Sequence, residues 1–356
     1  MRNATKISIF GLVLGAATAV LAGEGRIPVY APGTILSSPG KYVLTRNLVG
    51  TGATPVIRIN SDVDLDLNGF TITGSGGVGI QTVNAGDVKI SNGAIYLASV
   101  AIDIASASAR RVELENLRIF ATSSHGVSID AQPLFVIRRV QVEQAVGDSI
   151  RVNAGTVVTG RIEDCQVFGG GGRGIYVYNG SSVAIVDNTV RSTGTEGIML
   201  EGCLGCLVER NTVTQARGQG GIYLSFAIGS TVARNVASGN ESHGIHLGSG
   251  ARDILVEGNI MRENGNAITF GDGLRVAGTG NTIVGNTING NQGMGLRFTS
   301  GATFSVYGRN VARGNSGQPG NTCSGVPTLS WPNSCNEGAI GLNSFGDNLI
   351  PGPPLN

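Results

Sequence analysis

Apolar and polar residues alternate in short runs along most of this chain, and the runs recur in a fixed order. Val183, Ile185 and Val190 precede Gly197-Ile198-Met199-Leu200; Cys206, Val208 and Val213 precede Gly221-Ile222-Tyr223-Leu224. A period of two residues is the mark of a strand with one buried face, and the Asn and Gly between runs mark turns. No stretch shows the 3.6-residue period of a helix. Each unit therefore carries two short strands, too few apolar residues to bury a face alone, so Ile and Val must stack on their counterparts in the next unit.

The ruler of this stacking is asparagine, at Asn68, Asn92, Asn116, Asn188, Asn211, Asn235, Asn259, Asn286 and Asn310, mostly at steps of 23 or 24 residues. Asn tolerates the left-handed backbone of a tight turn, and in register its amide can bond to the Asn above and below. The column is expected to be structural. Cys165 stands where the repeat usually has Asn and is expected to point inward. The turns from Asn68 to Asn310 number about 11, which at ~4.8 Å per stacked strand gives a body about 50 Å long.

Composition narrows the partners. Charged residues are 14% of the 356 and the formal net charge is +1, so there is no global field to draw nucleic acid. Met1 to Ala22 combine Arg2 and Lys6 with an apolar run, Ile7 to Leu21, and a small-residue end, which reads as a secretory leader cleaved after Ala22. No later run is long enough to span a membrane. The mature chain is expected to be secreted or periplasmic, and a monomer. Five cysteines suit an oxidising compartment. Cys323 and Cys335 flank a Pro-containing loop and are the expected disulfide. Cys203 and Cys206 form a CxxC with no second pair, to be read as a local disulfide or free thiols rather than a metal site.

These residues resemble a known family: secreted bacterial proteins with right-handed parallel β-helix repeats, of the pectin-lyase-like superfamily. The carriers are Pro39-Gly40-Lys41-Tyr42-Val43-Leu44-Thr45, the segment Val63 to Ile72 and the Asn and Gly-Ile repeats, and the resemblance covers roughly residues 35 to 312. It implies an all-β right-handed parallel β-helix; with the residue reading, the expected organisation is a leader over 1–22, an N-terminal cap over 23–60, the coil over 61–313 and a C-terminal cap over 314–356. That superfamily contains polysaccharide lyases, hydrolases, uronate epimerases, adhesins and accessory proteins, so fold alone does not select a function. Ser124-His125-Gly126 and Ser242-His243-Gly244 are similar to the Gly-His-Gly element of polygalacturonases, but the accompanying Asp-Asp pair is absent, as is the Asp-Pro-His-Asp motif of alginate epimerases.

Alternation supplies a better search. In each Gly-Ile-x-Leu strand Ile points inward and the next residue outward, which aligns Gln81, Asp103, Ser128, Arg151, Tyr176, Met199, Tyr223, His246, Arg275 and Arg297 in one column. The position before Gly supplies His125, Asp148, Arg173, Glu196, His243 and Asp272; further along the strands lie Asp130, Tyr178 and Glu201. Two clusters emerge. His243, His246, Asp272 and Arg275 are the candidate catalytic group. His125, Asp148, Arg151, Arg173, Tyr176, Glu201, Tyr223 and Arg297 are candidate substrate-binding residues. Aromatic rings suit sugar faces, Arg suits carboxylates or sulfates, and His can move protons.

No cofactor or metal is expected. Asp62, Asp64 and Asp66 are the one stretch that suggests calcium, but along an extended strand alternate carboxylates stand about 7 Å apart, whereas calcium needs converging oxygens. Two functional readings stay open: a β-helix that binds polysaccharide and acts on it as lyase, epimerase or hydrolase, and a non-enzymatic structural, adhesive or accessory solenoid contacting another extracellular macromolecule.

Overall fold

A computed structural model describes residues 25–316, apart from 53, 107, 131–133 and 267, together with the strands Ser334–Asn336 and Asn343–Ser344. The expected leader, 1–22, lies outside the described residues. Among the described residues, all regular structure is β-strand. Each turn of the coil lays down three strands, as in Ile198–Glu201, Leu207–Glu209 and Thr212–Thr214. The next turn repeats them at Gly220–Ser225, Thr231–Ala233 and Val236–Ser238, each parallel to its predecessor. The stack is a parallel solenoid of about 11 turns. We call the sheet of the Gly-Ile-x-Leu strands sheet 1, and the sheets before and after the Asn corner sheets 2 and 3.

The stacking starts earlier than the expected boundary at residue 61. Ile27–Val29 pairs with Tyr42–Leu44, Gly40–Leu44 pairs with Val63–Asp66, and Thr34–Leu36 pairs with Ile57–Ile59. The stretch expected to be only a cap is thus built into the same ladders.

Inside the coil, identical positions stack on one another. Ile175, Ile198, Ile222 and Ile245 follow one another in register, all fully buried, with Leu274 and Leu296 continuing the row. Burying each such side chain contributes about 1.5–3 kcal/mol, which favours aliphatic residues along this row.

The asparagines divide into two kinds. Asn68, Asn92 and Asn116 themselves hold the left-handed backbone, with φ of 51°, 60° and 52°. From Asn188 onward the left-handed residue comes one position earlier, at Asp187, Arg210, Arg234 and Arg309, and the Asn turns inward. There it forms a continuous buried ladder: the Nδ2 of Asn188, Asn211, Asn235, Asn259 and Asn286 donates to Oδ1 of the next, at 2.9–3.0 Å. The same Oδ1 atoms accept the backbone N–H of the preceding Asn. A second ladder runs at the following corner through Asn240, Asn264, Asn291 and Asn315. Cys165 does take the Asn position: its backbone N–H donates to Asn188 Oδ1 at 2.9 Å, and burial pushes its thiol up to about 12.

Cys203 and Cys206 are free thiols, both buried at the corner leaving sheet 1. Cys323 lies outside the described residues, so its pairing with Cys335 stays an expectation. The acids of the N-terminal strand are engaged separately: Asp62 accepts the N–H groups of Gly86 and Asp87 and pairs with Arg110, and Asp66 pairs with Arg26. Among the described residues no group of three or more His, Cys, Asp or Glu is placed to hold a metal ion. Nor is there among them a helix long and apolar enough to cross a membrane.

Candidate functional site

Sheet 1 puts the expected column in register, one residue per turn. Gln81 pairs with Asp103, Asp103 with Ser128, Ser128 with Arg151, and Arg151 with Tyr176. The row continues through Met199, Tyr223, His246, Arg275 and Arg297. The side chains do not stand free in solvent as alternation alone suggested. They lie along the sheet and cover one another, so that Tyr176, His246 and Arg297 are buried although they face outward.

The first cluster centres on Asp148, which is 5% exposed. Its carboxylate accepts the Arg173 backbone N–H at 2.9 Å and a two-point bond from the Arg173 guanidinium at 3.0 and 3.2 Å. Arg173 in turn lies 3.5 Å over the ring of Tyr176, a cation–π contact. Tyr176 donates its hydroxyl to Glu201 at 2.8 Å. Its phenol is pushed up to about 12, first by burial and then by that carboxylate. Arg151 pairs with Asp130 at 3.3 Å.

The second cluster is more deeply buried. Asp272 is fully buried; it accepts the Met294 backbone N–H at 2.8 Å and pairs with Arg297 at 3.1 Å. The Asp272 backbone N–H donates to Nδ1 of His243 at 2.9 Å. That bond fixes the tautomer: Nδ1 is an acceptor, so the proton of the neutral ring sits on Nε2. The Asp272 carboxylate lies 3.5 Å from Nδ1, but with the lone pair already used this is not an ion pair. Burial, followed by the nearby His246, Arg275 and Arg297, pushes His243 down to about 2. Burial and Arg275 push His246 down to about 4. Both rings are neutral at physiological pH.

His246 stacks on Tyr223 with ring centres 4.8 Å apart and meets His243 edge-on at 5.1 Å. Its Nδ1 is buried with no hydrogen-bond partner among the described residues. Of the four candidate catalytic residues, His243 and Asp272 are thus occupied in holding backbone and arginine. His246, with Arg275 beside it, keeps its polar atoms uncommitted.

Reading the sequence singled out both clusters but missed that they are the same construction made twice. In each, a His after Ser and before Gly accepts at Nδ1 the backbone N–H of an Asp on the next turn, at 3.0 Å for His125 and 2.9 Å for His243. In each, the Arg three residues after that Asp brings Nη1 to Nε2 of the His, at 3.4 Å for Arg151 and 3.3 Å for Arg275. In each, the Asp accepts a backbone N–H from the turn beyond. The signal was present as Ser-His-Gly followed by Asp-x-x-Arg, twice. Five extra residues between Asn264 and Asp272 in the second copy break the spacing and hide the match.

Short strands pairing in parallel with their counterparts one turn on define a parallel β-helix protein. The chain belongs to the family described as "Right handed beta helix region", matched over residues 47–190 and 173–326. Among solved structures it is similar to the mannuronan C-5 epimerase AlgE6 A-module of Azotobacter vinelandii, at 17% identity, covering 98% of this chain and 97% of that one with a TM-score of 0.58. It is also similar to the periplasmic alginate epimerase AlgG, at 15% identity, covering 86% of this chain and 77% of that one with a TM-score of 0.53. At such identities the likeness is one of fold. No curated protein matches the chain by sequence.

Proposed function

We propose that this protein binds polysaccharide along sheet 1, over the stripe between His125 and Arg297, and works as a monomer in the periplasm or outside the cell. The observation that supports this most is the register of the column: Tyr176, Tyr223, His246 and three arginines follow one another on a single sheet, one per turn. A polymer laid along the coil axis meets these groups in sequence, rings against sugar faces and guanidinium groups against oxygen-rich substituents. The fold neighbours AlgE6 and AlgG carry epimerase in their names, which agrees with a sugar-polymer ligand.

A second reading, that the protein also acts on its polymer as a lyase, epimerase or hydrolase, draws on His246. Held neutral beside Tyr223, with Nδ1 uncommitted, it has the protonation state of a general base at neutral pH, although burial makes it a weak one. His243 and Asp272 then serve as positioning residues that hold Arg275 and Arg297, and do not touch substrate.

The test is to incubate the chain with uronate-containing and neutral polysaccharides, following binding by calorimetry and unsaturated product by ultraviolet absorbance. Tyr223→Ala is expected to weaken the bound glycan at least about tenfold, as removal of a central aromatic does in most interfaces. Failure of every glycan to bind overturns the proposal, and unchanged affinity in a folded Tyr223→Ala variant places the ligand on another face.

A further inference from the structure

We infer that Arg275 receives an acidic group of the ligand, a carboxylate or sulfate, beside the Tyr223 hydroxyl; this rests on the polysaccharide reading above and names the chemistry of one of its subsites. The argument comes from comparing the two copies of the His-Asp-Arg construction within the chain. In the first copy Arg151 has its own acid. Asp130 stands 3.3 Å from its guanidinium and also accepts the Ser128 hydroxyl at 2.9 Å, while Ser128 Oγ lies 3.5 Å from Arg151. That copy is complete without a ligand.

The second copy lacks this acid. Asp130 follows the inward Ile129 and donates its backbone N–H to the carbonyl of the turn before; Gly248 follows the inward Leu247 and does the same. The residue in the place of Asp130 is therefore Gly248, and the residue in the place of Ser128 is His246. Arg275 has no carboxylate within ion-pair distance among the described residues, and its Nε is buried without a hydrogen-bond partner. Its one ring contact, Nε2 of His243, offers no acceptor, because that nitrogen already carries the ring proton. A partly buried guanidinium without an acceptor is costly, and in the sister copy a carboxylate fills the need.

The surroundings suit a ligand group at that place. His246 Nδ1, buried and unpartnered, is beside it, and the Tyr223 hydroxyl lies over Gly248, 3.0 Å from where a Cβ would stand. A side chain at residue 248 would collide with the Tyr223 ring, whose Cε2 stands 3.1 Å from that point; glycine lets the Tyr223 hydroxyl reach the position that Asp130 holds in the first copy. An acidic group there would take a two-point bond from Arg275 and a hydrogen bond from Tyr223. Arg297 is already committed to Asp272, so the acid is recognised by Arg275 and not by the pair.

The test uses the full chain and four probes: alginate, polygalacturonate, and the carboxyl-reduced form of each. Wild-type protein is expected to bind at least one acidic polymer and to lose at least about tenfold on carboxyl reduction. Arg275→Gln should lose about as much for the acidic polymer and less than about twofold for its reduced form. Asp130→Ala, at an exposed position, frees Arg151 to act as a second acid receptor and should tighten acidic polymers. Equal binding of acidic and reduced polymers overturns this inference while leaving polysaccharide binding in place. Wild-type affinity in a folded Arg275→Gln variant overturns it as well. Binding of no polymer removes both readings together.

Discussion

The two buried histidines of the second cluster fix a pH dependence. His246 is held down to about 4 and His243 to about 2, against 6.5 for a free imidazole. The unfolded chain therefore takes up protons first as pH falls. Their contribution to stability is complete above pH 6.5 and is lost progressively as pH falls, down to about 4 for His246 and about 2 for His243, on the order of 1 kcal/mol per pH unit for each ring. Thermal melting at pH 7, 5.5 and 4.5 should show this loss, and His246→Gln should make the curve visibly flatter; the same slope in both proteins would contradict the burial of His246. At this scale the sequence revealed which residues share a face, because alternation is a backbone property. It did not reveal that Asp272 is sealed from solvent. That depends on Arg297 and Met294 arriving from the next turn, and on long side chains lying along the sheet.

At the scale of the strand and its corner, the asparagines that look alike in the sequence differ in what they do. Asn235 makes every bond its amide can make inside the coil: Nδ2 to Asn259 and to the Val208 carbonyl, and Oδ1 from the N–H and Nδ2 of Asn211. Asn235→Ala leaves those partners buried and unsatisfied, and should lower stability by about 3 kcal/mol, read as a reduced denaturation midpoint. Asn92 lies at an exposed corner with φ of 60°. Asn92→Gly keeps that conformation and should cost less than about 1 kcal/mol. Comparable losses in the two variants would refute the distinction. The even spacing of Asn makes the turns legible from the residue order alone. The one-residue shift between the early and late columns is not legible in that way, because a step of 23 or 24 residues accommodates either. The second ladder, through Asn240 and Asn264, is also hidden, since its members lie only five residues after those of the first.

For the whole molecule, the architecture is additive along its axis. Each turn touches mainly the turn before and the turn after, so a complete turn can be removed without loss of its neighbours' contacts. Deleting 188–210 joins Asp187 to Asn211, a left-handed residue to an inward Asn, as in the native corner. The shortened chain should keep its strand circular dichroism and melt cooperatively; a deletion of half that length should not, because it breaks the register of every later turn. The fold was readable throughout the coil because repetition multiplies a weak local signal. The start of the stack was not, because Ile27–Val29 and Thr34–Leu36 are short and precede the first repeat.

The stretch between Asn264 and Asp272, five residues longer than in the neighbouring turns, leads into Asp272, whose N–H bonds to His243. On either side of it the coil is clamped: Asn264 donates to Asn291 at 2.8 Å, and Asp272 holds the Met294 N–H at 2.8 Å. Whatever happens to the length or composition of that segment, the turns above and below keep their alignment. The molecule thus separates what must be constant from what can vary, and provides a port where new chemistry can be installed beside Arg275 and His246 without redesigning the coil.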